Sequence, residues 1–99
     1  MEKQKPHYLL KAIQAQMTAP EEMNLTLSAL AGIRAAGMRQ VDAVTVIQQL
    51  TAGDFYKSMT THEDHRVWQD VYHAEWQEVA LYIKFQQLGE YFVISFKER

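Results

Sequence analysis

The chain has 99 residues, of which 47% are hydrophobic and 22% are charged, and it contains no cysteine. This length predicts a single domain over residues 1–99, and the lack of cysteine excludes disulfide scaffolds, thiolate zinc sites and cysteine nucleophiles. Because the net charge is −2, any phosphate-handling site must be a local cluster of cations. Without a long apolar run or a secretory signal, we expect a soluble, cytoplasmic protein that does not contact membranes.

The first half of the chain has the apolar spacing of helices. A short amphipathic stripe predicts a first helix over residues 7–17. Thr26 or Ser28 can cap a second helix, which Gly37 ends in the left-handed conformation. Asp42 opens a third helix, although the β-branched residues around it leave a strand as the competing interpretation.

The second half of the chain has the alternation of strands. Apolar and polar residues alternate over 79–86 and over 92–97, which predicts an antiparallel hairpin that turns at residues 88 and 89. A third strand is predicted over residues 67–73, joined to the hairpin through residues 73–76. Helices followed by a meander of strands indicate an α+β fold, with N-terminal helices packed on one face of a mainly antiparallel C-terminal sheet.

The predicted hairpin separates an apolar face, suited to the helices, from a polar face. In this register Tyr82 lies opposite Ser95, and Lys97 lies one diagonal away. With Lys84 these residues share the polar face, and a phenol beside two ammonium groups suits an anionic, planar ligand. Lysine and tyrosine also occur routinely on the solvent faces of ordinary strands, so a plain solvated face is the competing interpretation.

Blocks of sequence spread over the chain resemble one known family. These blocks are MEK at the start, Pro6-His7, SAL at residues 28–30, DFYKSMTT at residues 54–61, Asp64-His65, WQDVY at residues 68–72 and ISFKE at residues 94–98. By them the chain resembles the MqsR family of bacterial toxins over essentially its whole length. The DFYKSMTT and WQDVY blocks carry most of the resemblance.

This resemblance implies a RelE-like fold and a type II toxin–antitoxin function. The implied activity is that of a ribosome-independent endoribonuclease, which needs no metal or cofactor and cleaves single-stranded messenger RNA at short GC-containing sites. The implied partner is a zinc-containing, DNA-binding antitoxin of the MqsA type. The alternative is a catalytically weak or inactive member that only binds an antitoxin or regulates its operon. An exposed edge strand, predicted over residues 67–73, would offer the partner a place to add a strand.

The resemblance also implies an active site at Lys57, Gln69, Tyr82 and Lys97. Strand alternation independently places Tyr82 and Lys97 together. In metal-free RNA cleavage the lysines would stabilise charge on the phosphate, Tyr82 would protonate the leaving oxygen or stack on a base, and Gln69 would read a base edge or hold the phosphate. Further RNA contacts are expected from Lys84, His62, His65, Arg66 and Trp68, of which Trp68 can equally be a packing residue.

The general base is left open by the sequence. His62 and His65 can titrate near neutrality, and a lysine whose pKa is lowered by a neighbouring cation is another candidate. The two histidines and the acidic residues between them can also ligate a metal, but no further ligand motif accompanies them and we expect a solvated loop without metal. The chain departs from the family at His62 and at residues 73–75, and its acidic balance is expected to weaken general RNA affinity.

Overall fold

The computed structural model describes residues 1–99 and contains three helices and six strands. The helices are α1 (Leu10–Gln16), α2 (Leu27–Ala35) and α3 (Gln40–Gln49), and the strands are β1 (Glu2–Lys3), β2 (Asn24–Leu25), β3 (Phe55–Thr60), β4 (Trp68–Trp76), β5 (Val79–Leu88) and β6 (Tyr91–Glu98). None of the three helices has both the length and the apolar character that a bilayer span requires. The predicted α+β fold is confirmed.

The six strands form one sheet in the order β1-β3-β4-β5-β6-β2. All neighbours are antiparallel except β2, which runs parallel to β6. The predicted exposed edge over residues 67–73 is wrong, because β3, which the sequence did not identify as a strand, pairs with the other side of β4. The two edges are instead the two-residue strands β1 and β2.

The turn between β5 and β6 lies one residue later than predicted. Gly89 and Glu90 form it, with Gly89 at a φ of 63°. Tyr82 therefore pairs directly with Lys97 and not with Ser95. Moving the turn by one residue shifts every pairing by two, and a shift of two keeps each side chain on its own face of the sheet. The predicted grouping of residues on the two faces is confirmed, although the predicted register is wrong.

Residues 73–76, predicted to connect two strands, are the end of β4. The connection to β5 is the two-residue turn Gln77-Glu78, whose φ values are 46° and 69°. Two positive φ values in a two-residue hairpin loop are the mark of a type I′ turn, whose twist matches that of the strands it joins. Asn-Gly or Asp-Gly normally signals this turn, and neither is present here.

The observed ends of α2 and α3 agree in part with those predicted from the sequence. The Thr26 hydroxyl accepts a hydrogen bond of 3.0 Å from the Ala29 amide at the start of α2, and Gly37 follows that helix with a φ of 77°. α3 is a helix and not a strand, but it begins at Gln40 and not at Asp42. Asp42 lies in its first turn, where its carboxylate accepts a 2.8 Å hydrogen bond from the amide preceding the helix.

One buried carboxylate holds the N-terminal segment against the sheet. Asp70 on β4 has no exposed surface. It accepts hydrogen bonds from the amides of His7 at 3.0 and 3.1 Å and of Tyr8 at 2.9 Å, and from the Ser58 hydroxyl at 2.6 Å. These bonds hold His7 and Tyr8 outside helical geometry, so α1 begins only at Leu10 and not at residue 7 as predicted.

The core lies between the helices and one face of the sheet. The apolar residues of β5 and β6 that were predicted to face the helices are all buried, and they pack with residues of the three helices and with Tyr72 of β4. These strand residues are Leu81, Ile83, Phe85, Phe92, Ile94 and Phe96. Because the helices occupy this face alone, the other face of the central strands is free of helices.

The contact between α2 and β6 depends on Gly32. A Cβ atom at this position would lie 2.1 Å from the carbonyl oxygen of Phe96 and 2.9 Å from its carbonyl carbon. Since these are backbone atoms, the helix itself would have to move. We expect Gly32→Ala to lower the free energy of unfolding by about 2 kcal/mol, despite the better helix propensity of alanine.

Urea denaturation measures this loss, and Gly53→Ala is the matched control. A Cβ at Gly53 would meet only the Thr51 hydroxyl, at an ordinary 3.6 Å. The control is therefore expected to unfold close to the wild-type midpoint. A Gly32→Ala protein as stable as the control would contradict the close approach of α2 and β6.

Candidate active site

The helix-free face of the sheet carries polar and aromatic side chains in rows across the strands. One row contains His73 on β4, Tyr82 on β5 and Lys97 on β6. The next row contains Lys57 on β3 and Lys84 on β5, with a valine of β4 between them. We call this surface the open face. The prediction that Tyr82, Lys84 and Lys97 share one face is confirmed.

A β-bulge in β3 adds a second aromatic ring to the open face. The pairing of β3 with β4 shifts between Phe55 and Lys57, which leaves Tyr56 as the extra residue. A bulged residue breaks the strict alternation of a strand. The Tyr56 ring accordingly stacks on the ring of His73, with centroids 4.1 Å apart and planes 22° from parallel. Tyr56 and Lys57 therefore both reach the open face although they are adjacent in sequence.

Tyr82 and Lys97 are in direct contact. The Lys97 ammonium lies 4.9 Å from the centroid of the Tyr82 ring, in cation–π geometry. No carboxylate forms an ion pair with Lys97, so its charge is available to a ligand. An ammonium beside a phenolic hydroxyl offers an anion both a positive charge and hydrogen-bond donors.

Lys57 is held by a carboxylate from the N-terminus. Its Nζ lies 3.0 Å from the Oε2 atom of Glu2 and 5.5 Å from the centroid of the Tyr56 ring. The hydrogen bond to Glu2 raises the pKa of Lys57, and the nearby phenols of Tyr82 and Tyr56 add to this effect. Lys57 is therefore a protonated cation, and the hypothesis that a lysine of lowered pKa acts as base is wrong for this residue.

His73 lies between two rings of the open face, and the sequence did not identify it as a site residue. Besides its stacking with Tyr56, its ring lies 5.7 Å from that of Tyr82 at an angle of 45°. Its Nδ1 accepts a 2.8 Å hydrogen bond from Arg99, because a guanidinium can only donate. Burial lowers the pKa of His73, and the Arg99 charge lowers it further. The imidazole is consequently neutral at pH 7.

Gln69 lies at the other end of the open face, in a groove of about 560 Å³. It is four residues along β4 from the row of Tyr82, a distance of about 13 Å in an extended strand. The structure therefore does not place Gln69 beside Tyr82. Its Nε2 donates a 2.9 Å hydrogen bond to Oε1 of Gln86. Lys84 and His62, two of the residues predicted to contact RNA, line the same groove.

Trp68, which was predicted among the RNA contacts, does not lie on the open face. Its ring stacks on His7 with centroids 5.2 Å apart, and the Lys3 ammonium lies 4.2 Å from the ring centroid. Trp68 is two residues from the buried Asp70, and alternate residues of a strand share a face, so it points to the side of the helices. Its contacts with His7 and Lys3 agree with the packing interpretation of Trp68.

His65 and Arg66 lie in the loop before β4, away from the row of Tyr82. The Arg66 guanidinium lies 3.0 Å from the Asp64 carboxylate and lowers the pKa of that carboxyl group. The hydroxyl of Thr61 donates to the Asp64 carbonyl oxygen at 2.9 Å and closes the loop. The loop is thus organised by its own side chains, and Arg66 is exposed to solvent.

The open face combines the groups that phosphate chemistry uses. One row holds an imidazole, a phenol and an ammonium, and a second ammonium lies in the next row. The cations can hold an anion, and the phenol and imidazole can exchange protons with it. Aromatic rings beside cations also suit the stacked bases of a single-stranded nucleic acid.

Comparisons with known proteins extend over nearly the whole chain. Residues 5–98 match the family described as "Motility quorum-sensing regulator, toxin of MqsA". The chain is also similar to "mRNA interferase toxin MqsR" of Escherichia coli (strain K12), with 36% identity over 99 residues that cover all of both chains. Both matches include the strands β3 to β6, which build the open face.

Proposed function

The chain belongs to the MqsR toxin family, and we propose that it is a type II toxin that cleaves single-stranded messenger RNA on its open face without a ribosome or a metal ion. The observation that supports this most is the contact of Lys97 with Tyr82, beside His73 and near the second cation Lys57. The preference for short GC-containing sites, which the family resemblance implies, is part of the proposal.

The chemistry requires three events at one phosphodiester. A 2′-hydroxyl loses its proton and attacks the adjacent phosphorus, the nonbridging oxygens gain charge, and the leaving 5′-oxygen gains a proton. Lys97, and Lys57 once a phosphate replaces its Glu2 partner, are the charges that stabilise the crowded phosphate, and the hydroxyl of Tyr82 is the donor to the leaving oxygen. The products are a 2′,3′-cyclic phosphate and a 5′-hydroxyl.

The direct test is cleavage of a long RNA by the purified chain, with EDTA present, mapped by primer extension. We expect cuts at defined sites, unchanged by EDTA, and growth arrest when the chain is expressed alone. Cleavage that EDTA abolishes would contradict the metal-free mechanism. An absence of cleavage and of growth arrest would instead favour an inactive member that only binds its antitoxin.

The proposal includes a protein partner and a compartment. The description of the matched family names a toxin of MqsA, so we propose an MqsA-type antitoxin that contains zinc and binds DNA. Both would act in the cytoplasm, where messenger RNA is translated. Co-expression of such an antitoxin should relieve the growth arrest, and the two chains should copurify. Arrest that persists with the antitoxin present at equal or higher amount would contradict the pairing.

The groove around Gln69 is the proposed site for a base that flanks the cut. Along β4 the groove lies about 13 Å from the row of Tyr82, a spacing that suits a base beside the scissile phosphate better than that phosphate itself. The paired amides of Gln69 and Gln86 offer donors and acceptors to a base edge, and Lys84 offers a charge to a phosphate. Gln69 is therefore proposed as a specificity residue.

Gln86→Ala is expected to relax the choice of cleavage site. The change removes the acceptor that orients the Gln69 amide, and a lost base contact of this kind lowers discrimination by about tenfold. Gln87→Ala is the matched control, because Gln87 is the next residue of β5 and points to the opposite face. Primer extension on one RNA compares the two variants, and an unchanged pattern of cuts in Gln86→Ala would exclude the groove as a reading site.

A further inference from the structure

The residues implied by the family leave the first proton transfer without an acceptor. Lys57 is held protonated by Glu2. Tyr82 contributes its own proton to the leaving oxygen, and Lys97 contributes its charge. A group with a free lone pair, next to these residues on the open face, is still required.

His73 meets this requirement by position. It pairs with Tyr82 across β4 and β5 and contacts its ring, so that an imidazole, a phenol and an ammonium follow one another over three adjacent strands. The stacked ring of Tyr56 holds the imidazole plane from the other side. A base and an acid at neighbouring positions of one row can reach, respectively, the attacking and the leaving oxygen of an in-line displacement at one phosphorus.

We propose that His73 is the general base of RNA cleavage, with Arg99 covering its Nδ1 until RNA binds. This proposal rests on the proposed function. The hydrogen bond from Arg99 shows that Nδ1 carries a lone pair and no proton in the free protein. The Arg99 side chain is exposed, and a guanidinium prefers a phosphate, which it can bind through two parallel hydrogen bonds, to a single imidazole nitrogen.

The proton balance of the reaction is then complete. When Arg99 moves to the phosphate, Nδ1 accepts the proton of the 2′-hydroxyl while the bond from that oxygen to phosphorus forms. The bond from phosphorus to the 5′-oxygen breaks, and that oxygen takes the proton of the Tyr82 hydroxyl. The imidazolium of His73 and the phenolate of Tyr82 then exchange a proton through water, which restores the starting state.

The groups around His73 determine how RNA cleavage depends on pH. The ionisable groups that face it are Tyr56 from β3, Tyr82 from β5, Arg99 after β6, and Asp54 and Glu75, which line the shallow hollow beside it. Since burial and Arg99 lower the pKa of His73 below about 6.5, the imidazole stays neutral at pH 7 and becomes protonated only in more acidic solution. Activity should therefore fall on the acidic side of pH 6.5 and not at neutral pH.

His73→Gln tests the assignment, because glutamine keeps a polar side chain but cannot accept the proton. In steady-state cleavage of a short RNA, we expect kcat to fall by about 10²-fold or more and KM to change little. The acidic limb of the pH profile of cleavage should also disappear. His73→Ala should recover part of its activity when imidazole is added. His7→Gln is the matched control, since His7 also stacks on an aromatic ring but lies on the helix side of the sheet.

Arg99→Gln gives a second, independent readout. Arg99 lowers the pKa of His73 in the free protein, and kcat/KM reports the free protein. Removing this cation should therefore move the acidic limb of the kcat/KM profile to higher pH, whereas a limb that belongs to another group would not move. The overturning result is a His73→Gln protein that melts like wild type, cleaves as fast as the His7→Gln control and keeps its acidic limb. If wild type cleaves RNA in that experiment, His73 fails as the base and the proposed function stands; if wild type does not cleave, both fail.

Discussion

Replacing Lys97 by alanine is expected to slow RNA cleavage by about 10²-fold or more without unfolding the protein. The Lys97 side chain is exposed, contacts the Tyr82 ring and forms no ion pair, so its removal leaves no carboxylate uncompensated. What is lost is a charge beside the phosphate whose oxygens become more negative in the transition state. The defect should therefore lie in kcat more than in KM.

Lys11→Ala is the matched control for this change. Lys11 lies on the exposed surface of α1, so that the substitution alters net charge by the same amount away from the open face. Single-turnover cleavage at two salt concentrations separates the local effect from a general loss of RNA attraction, which would weaken both variants alike. A Lys97→Ala protein that cleaves as fast as the Lys11→Ala protein would remove Lys97 from the proposed mechanism.

The faces of the sheet could be predicted from the sequence, whereas the register could not. Alternation in β5 and β6 places Tyr82 and Lys97 on the same face even when the pairing is shifted by two residues from the true register. A turn misplaced by one residue therefore left the grouping intact. The partner of Tyr82 is decided by the two residues of the turn itself. Gly89 can occupy either central position of such a turn, and local sequence does not choose between them.

The two missed residues of the site, Tyr56 and His73, were missed for different structural reasons. Tyr56 reaches the open face through a bulge, and a bulge depends on how β3 meets β4, which no local pattern records. His73 was lost because the Gln77-Glu78 turn has neither glycine nor asparagine, so that the end of β4 was interpreted as a connection. A turn predicted at residues 77 and 78 would have set the register of β4 with β5 and paired His73 with Tyr82.

Family resemblance identifies residues but does not give the distances between them. Gln69 and Tyr82 belong to the same implied set, yet they lie four residues apart along the sheet and at opposite ends of the open face. Trp68 is adjacent to Gln69 in sequence and lies on the other face, where it packs against His7. A division of labour between chemistry near Tyr82 and base reading near Gln69 follows only when the pairing of β4 with β5 is known.

Asp70→Ala is expected to lower the free energy of unfolding by about 3 kcal/mol. The fully buried carboxylate accepts the amides of His7 and Tyr8 and the hydroxyl of Ser58, and alanine leaves all these donors without an acceptor. Unsatisfied buried donors and lost hydrogen bonds to a charged group each cost about 1–3 kcal/mol, and neighbouring losses overlap.

Urea denaturation at neutral pH of three variants separates the contributions. Ser58→Ala removes a single donor and should be clearly milder than Asp70→Ala. Glu75→Ala removes a carboxylate from the exposed side of the same strand, where it accepts no hydrogen bond, and should be nearly neutral. Because Asp70 ties the N-terminal segment to β3 and β4, its loss should also free β1 and with it the Glu2 carboxylate that holds Lys57. An Asp70→Ala protein that unfolds at the midpoint of Glu75→Ala would show that the N-terminal segment is held by other contacts.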